Sequence, residues 1–232
     1  MRMIKQTLAD HRAVLTFLVG MVFLRSAIAD WYSVPSGSMY PTVMIGDRII
    51  AERFAYDLKV PFTDVVIAHI ADPRRGDIVT FSSPEDGRRL IKRLVGLPGD
   101  TVELRNDVLT LNGVQASYAT ATGAVATHTT PDYQGRQVVL EERILGSQRS
   151  IMLMPGRTEA RRNFGPMQVP RDHYLMLGDS RDNSLDSRYI GFIKRAAITG
   201  RVGRVAFSLD AERHFIPRLE RFGASLMHAD PP

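Results

Sequence analysis

The apolar positions of this chain change rhythm near residue 43. From Ala13 to Leu24 twelve residues run without a charge. Beyond residue 43 the apolar residues fall into short runs, many of them alternating with polar ones: "RIIAERFAY", "GDIVTFSS", "RLIKRLVGL", "DTVELRNDVLTLNGV" and "HYLMLGDS". Such runs, broken by Gly, Asn, Asp and Pro, predict strands joined by turns. "NDVLTLNG" predicts a strand that closes in an Asn-Gly turn, and His173 begins the strand in "HYLML". Strand character returns at "RQVVLEERIL" and "RSIMLM", so residues 114–168 are expected to form a small β insertion. Within it, residues 116–135 are rich in Ala, Thr and Gly and read as a surface loop or insertion edge. "RAAITGRVGRVAFSL" supplies closing strands. "IPRLERFGASLM" predicts a short basic amphipathic helix with Leu219, Phe222 and Leu226 on one face. The expected fold class is mostly β.

The N-terminus carries the topological information. Arg2, Lys5 and Arg12 stand against Asp10 before the uncharged run, and Arg25, "SAIA" and Asp30-Trp31-Tyr32 follow it. Twelve apolar residues match a signal-peptide core, and Ala27-Ile28-Ala29 resembles its cleavage site. Counted from Ala13 to Trp31, the same segment is a helix of roughly 28 Å. It would then span a bilayer, with Arg25 snorkelling and Trp31 and Tyr32 in the interfacial belt. In both readings the basic flank at residues 1–12 stays inside and the rest of the chain faces outward.

Composition narrows the partners. The 232 residues carry a net charge of +5, which suits an acidic surface such as anionic lipid. The basic residues are scattered, so no nucleic-acid stripe is expected. There is no cysteine, which excludes disulfides, thiolate catalysis and Cys-based zinc sites.

Chemistry is expected at three places. "PSGSMYPT", residues 35–42, is a stiff turn: Pro35 and Pro41 restrict the backbone while Gly37 permits φ > 0. It is either a plain Ser/Gly/Pro turn or a device that holds Ser36 and Ser38 in fixed relation. A serine nucleophile needs a base, and no histidine has a triad context, which leaves lysine. Lys92 in "RRLIKRLVGLPGD" shares a strand face with Leu90 and Leu94. Burial lowers a lysine pKa; an unperturbed amine is neutral in only about one molecule in a thousand at pH 7.4, a deficit of roughly 4 kcal/mol. The ordinary alternative is a lysine snorkelling from an edge strand. The third place is "GDSRDNSLDSRYIGF", residues 178–192. It lacks the glycine and the bidentate Glu of a calcium loop. It is either a solvated polar turn or a loop that supports a catalytic group.

Taken together and in this order, the three clusters resemble the bacterial type I signal peptidases, or leader peptidases, and the resemblance covers nearly the whole chain. It implies an all-β catalytic domain at 32–232, preceded by a retained transmembrane helix at 13–31 and a cytoplasmic N-terminus at 1–12. The implied activity is removal of signal peptides, with small residues at −3 and −1, at the outer face of the bacterial cytoplasmic membrane. By resemblance Ser38 is the nucleophile, Lys92 the general base, and Ser36 the side-chain donor of the oxyanion hole. Ser184 orients the lysine, and Asp186 with Arg188 forms a supporting ion pair. Tyr32, Val34, Met39, Val43, Ile49, Leu90 and Ile91 fall where the family lines its substrate pockets. Signal peptides and membrane lipids are the implied partners; no cofactor, metal or nucleic acid is expected. Ser180 stands where the family often has Asn, and Leu90 where an aromatic residue is common. A self-cleaving repressor with Ser–Lys chemistry would need a DNA-binding domain where the apolar segment stands. A secreted β-domain without activity would explain residues 1–30 but gives no reason for a leucine-flanked lysine.

Overall fold

The computed structural model describes residues 29–226 apart from 61, 62 and 64, together with 12, 16 and 17. Strands come first from alternating runs: β1 (Ala29–Ser33), β2 (Asp47–Glu52), β3 (Asp57–Lys59), β4 (Val66–His69), β5 (Ile78–Ser82) and β6 (Arg89–Gly96). The middle of the chain gives β7 (Thr101–Arg105), β8 (Val108–Leu111), β9 (Val114–Gln115), β10 (Ser117–Thr120), β11 (Val138–Ile144) and β12 (Ser147–Leu153). The last third gives β13 (Phe164–Gln168), β14 (His173–Leu177), α1 (Ser187–Ile190), β15 (Ile193–Lys194), β16 (Ile198–Asp210) and β17 (Ile216–Pro217). The protein is mostly β, as its apolar rhythm predicts.

An antiparallel sheet of order β1-β2-β16-β5-β6-β14-β15, with β17 on β16, forms the body. Its central strand β5 is buried on both faces. On β5, Ile78 enters one apolar cluster, with Val34, Met39, Val43, Ile49, Val202 and Val205. Val79 and Phe81 enter another, with Leu94, Met176 and Ile198. Each fully buried side chain of this size contributes about 1.5–3 kcal/mol, and a one-residue slip of β5 would send each side chain into the opposite cluster.

The region expected as an insertion divides between two sheets. β10-β11-β12 form one, whereas β9 and β13 complete a four-stranded sheet of order β13-β7-β8-β9. Asn112 and Gly113 both take positive φ after β8, the Asn-Gly turn the sequence predicts. The three-stranded sheet is tied to the body through the Met152 amide, which donates to the Asp179 carbonyl at 2.8 Å.

One expectation is corrected. Residues 216–227 do not form an amphipathic helix over their described part. Ile216–Pro217 pair antiparallel with β16 as β17, a single 3-10 turn covers Leu219–Arg221, and Gly223 breaks away at φ 70°. Leu226 is buried while Leu219 and Phe222 are exposed, because Gly223 ends the turn at positive φ before a second one can form. The expected anchor at 13–31 lies largely outside the described residues. Its last residues, Ala29–Trp31, are strand, paired with Ile50, Ala51 and Glu52. Among the described residues no helix is long and apolar enough to cross a membrane.

Candidate active site

The serine turn leaves β1 at Ser33 and returns at Asp47. Its apolar members Val34, Met39 and Val43 are buried; they pin the turn to the core. Backbone bonds from Tyr40 to Gly37, and from Thr42 and Val43 to Met39, close it tightly. Asp47, fully buried, accepts from the Met44 amide at 2.8 Å and from Arg221 Nε at 2.9 Å. With its apolar side chains anchored, the turn presents Ser36 to solvent and leaves Ser38 half-buried.

Lys92 comes from β6, where Leu90 and Leu94 pack into the same cluster. It is 3% exposed. Its Nζ donates to Ser38 Oγ at 2.8 Å and to the Ile91 carbonyl at 3.0 Å. Burial drives its pKa down; Asp186 and Asp179 partly restore it, and the balance falls at about 8. At pH 7.4 roughly a fifth of the molecules then hold a neutral amine, against about one in a thousand for a free lysine. Most of the deficit that a lysine base faces is removed by desolvation.

The loop after β14 closes the site from the third side. Asp186 and Arg188 are fully buried and joined twice, Nε to Oδ1 and Nη2 to Oδ2, both at 2.8 Å. Burial works against the Asp186 charge, but Arg188 outweighs it and holds the carboxyl below its usual range. Asp186 also caps α1 and accepts from the Gly178 amide at 3.0 Å. Ser184 is buried, and its Oγ is short of hydrogen-bond geometry with any group, although the hydroxyl still favours the charged Asp186. The lysine-orienting bond expected of Ser184 is not formed in this arrangement. The Ser180 amide donates to the Ser38 carbonyl at 3.1 Å.

A further clamp escaped the sequence reading. Asp179 takes Arg93 Nε and Nη2 at 2.8 and 2.6 Å and the Thr42 hydroxyl at 2.6 Å. One buried carboxylate thus joins the serine turn, the lysine strand and the third loop. The available signal was Arg93 itself, a charge between Lys92 and Leu94 on the face of β6 that it shares with Ile91 and Val95.

A cleft of about 320 Å³ opens beside the Ser38–Lys92 pair, lined by Tyr32, Val34, Met39, Val43, Leu90 and Ile91 among others. Ile49 is not on its wall; it lies fully buried in the cluster that also holds Val34, Met39 and Val43. β1 pairs with β2 alone, and β14 meets β6 only from Arg93 onward. Both strands therefore leave backbone edges open along the cleft, the feature that accepts an added strand. Among the described residues no group of His, Asp and Glu could hold a metal ion.

Residues 7–207 match the family model described as signal peptidase, peptidase S26. Signal peptidase I of Pseudomonas fluorescens is 37% identical over 171 residues, which cover 73% of this chain and 58% of that one. Signal peptidase I of Pseudomonas aeruginosa is 33% identical, over 88% of this chain and 74% of its own. Signal peptidase I P of Bacillus subtilis subsp. natto is 30% identical, over 88% and 90% respectively. A crystal structure of a signal peptidase I from Enterococcus faecalis V583 shares 32% identity, covers 57% of this chain and 97% of its own, and superimposes with a TM-score of 0.34. The chain belongs to the signal peptidase family, peptidase S26, as a type I enzyme and a serine-type hydrolase.

Proposed function

We propose that this protein is a membrane-anchored endopeptidase that removes signal peptides from exported preproteins with a Ser38–Lys92 dyad. The observation that carries this reading is the 2.8 Å contact between Lys92 Nζ and Ser38 Oγ, with the lysine buried and its pKa depressed to about 8. A protonated amine can only donate to the hydroxyl; a neutral one offers a lone pair to accept its proton. Ser38 Oγ attacks the scissile carbonyl as its proton passes to Lys92, giving a tetrahedral oxyanion. Among the described residues the Ser38 amide has no acceptor, so it is available to that oxyanion together with the Ser36 hydroxyl. The Lys92 ammonium then gives its proton to the leaving amine. The acyl-enzyme is hydrolysed by water that the neutral lysine deprotonates, and the amine returns the proton to Ser38.

The substrate strand runs between the open edges of β1 and β6, with small side chains at −3 and −1 against Tyr32, Val34, Met39, Val43, Leu90 and Ile91. Asp186 and Arg188 support the loop that carries Ser184, whose hydroxyl serves to orient Lys92. The transmembrane anchor expected at 13–31, whose last three residues are strand, holds the catalytic body at the outer face of the cytoplasmic membrane. A lipid-facing edge beside the start of β1 fits this topology. There Trp31 and Phe222 stack edgewise on Phe207, and Trp31, Phe215 and Leu219 are 56%, 65% and 71% exposed. Amphipathic aromatic residues favour a bilayer interface.

Cleavage of a preprotein in detergent tests the reading. Ser38→Ala and Lys92→Met should each abolish it, and the double variant should be no worse than either, because the two side chains act as one unit. Robust cleavage by Lys92→Met would remove lysine as the base.

A further inference from the structure

The amide between Ser36 and Ser38 is held by a part of the chain far away in sequence. Gly37 N donates to Asp132 Oδ2 at 3.0 Å. A Cβ on Gly37 would lie 2.3 Å from Thr130 Oγ1 and 2.7 Å from Asp132 Oδ2. This position therefore requires glycine because another segment has closed on it.

That segment is built to hold its shape. Gln137 Oε1 accepts from the Thr130 amide at 2.8 Å, and its Nε2 donates to the Thr130 and Tyr133 carbonyls at 2.9 and 2.8 Å. Thr130 is 2% exposed. His128 Nδ1 lies 3.2 Å from the Pro41 carbonyl at the far end of the serine turn. Tyr40, next to it, is buried among Val139 and Met152 of the three-stranded sheet and Ala121 and Met154 at its strand ends. The turn is gripped at Gly37, Tyr40 and Pro41 by the same sheet and its β10–β11 connection.

We propose that the β10–β11 connection is a positioning element of the active site, with Asp132 as the positioning residue that sets the Ser36–Gly37 peptide plane. A carboxylate on the Gly37 amide fixes the rotation of that plane, and with it the direction of the Ser36 side chain relative to Ser38. It also takes the amide between the two serines that the oxyanion does not need, leaving the Ser38 N–H and the Ser36 hydroxyl uncommitted. Held groups of this kind act in the transition state without reorganising. The inference rests on the roles proposed for Ser36 and Ser38.

The test is steady-state kinetics on the full-length enzyme in detergent micelles, with a preprotein substrate and turnover counted per active site titrated by acylation. Asp132→Ala should lower kcat by about 10- to 100-fold, the scale of an ångström of misplacement, with KM nearly unchanged. Asp132→Asn keeps an acceptor oxygen for the Gly37 amide and should restore turnover to within a few-fold of wild type. The rise of activity with pH should stay where it is in both, since Lys92 is untouched. Gly37→Ala pushes the same contact apart, and adding Asp132→Ala to it should cost little more, as coupled neighbours do. Wild-type turnover in a folded Asp132→Ala enzyme would overturn the proposal, as would an Asp132→Asn variant no better than Asp132→Ala. Should the alanine variant not fold, wild-type turnover in a folded Gly37→Ala enzyme, where the contact with Asp132 is pushed apart, would overturn it equally. The dyad reading fails separately, through a Ser38→Ala enzyme that still cleaves.

Discussion

Lys92 shows how one residue's position sets both activity and stability. A pKa of about 8 means that cleavage should climb with pH and level off above that value. A profile flat from pH 6 to 9 would remove the neutral-amine base. The same depression acts against folding. Below about pH 8 the folded state must carry a buried ammonium that the unfolded chain holds in water, so the full penalty is present there. It is relieved as pH rises from 8 toward the free value of 10.5. Lys92→Met should therefore unfold at higher denaturant concentration than wild type at pH 7, by up to roughly 3 kcal/mol, while being inactive. A less stable Lys92→Met would show that its contacts with Ser38 and the two aspartates outweigh desolvation.

At the scale of elements, three segments distant in sequence meet within hydrogen-bond reach, and close approach is what makes the meeting possible. A Cβ on Gly178 would fall 2.2 Å from Ser184 Oγ and 2.6 Å from the Ser38 carbonyl. Gly178→Ala must push the serine turn and the third loop apart. We expect a loss of about 1–3 kcal/mol in stability from overpacking and a fall in kcat of at least tenfold from misalignment. Urea titration and turnover measured on one preparation will separate the two. An alanine variant with normal turnover would mean that the loop yields without moving Ser38. The alternating runs made the strands legible in advance, and the Asn112-Gly113 turn as well. The C-terminal helix does not form because Gly223, at positive φ, interrupts the run from Leu219 to Leu226, which periodicity alone does not register. The grip of Thr130 and Asp132 on Gly37 left no trace in local pattern, since its two sides lie 95 residues apart.

The whole molecule places unusual charge in its interior, and this governs its response to acid. Glu142 lies fully buried between Arg149 and Arg181, with the Tyr118 hydroxyl at 2.9 Å. Burial resists its charge, yet the two guanidinium groups win and hold its pKa at about 2. Stability from this carboxylate is present above pH 4.5 and is lost as pH falls toward 2. Glu142→Gln should flatten that acid limb and destabilise the protein at neutral pH by about 3–5 kcal/mol, because it leaves two buried cations unpaired. An unchanged denaturation midpoint between pH 7 and 3 in the wild type would contradict this. By itself the sequence determined the mostly β class, the main strands, the Asn-Gly turn, and the serine turn and the leucine-flanked Lys92 as places where chemistry is expected. Alternation, proline and glycine act locally, and an apolar neighbourhood for a lysine can be read from the residues beside it. Only the tertiary structure decided which carboxylates face that lysine, that Arg93 and Thr42 share Asp179, and that the β10–β11 connection reaches the serine turn. Those contacts depend on how sheets stack and where loops cross, and their energy comes from groups that no local pattern relates.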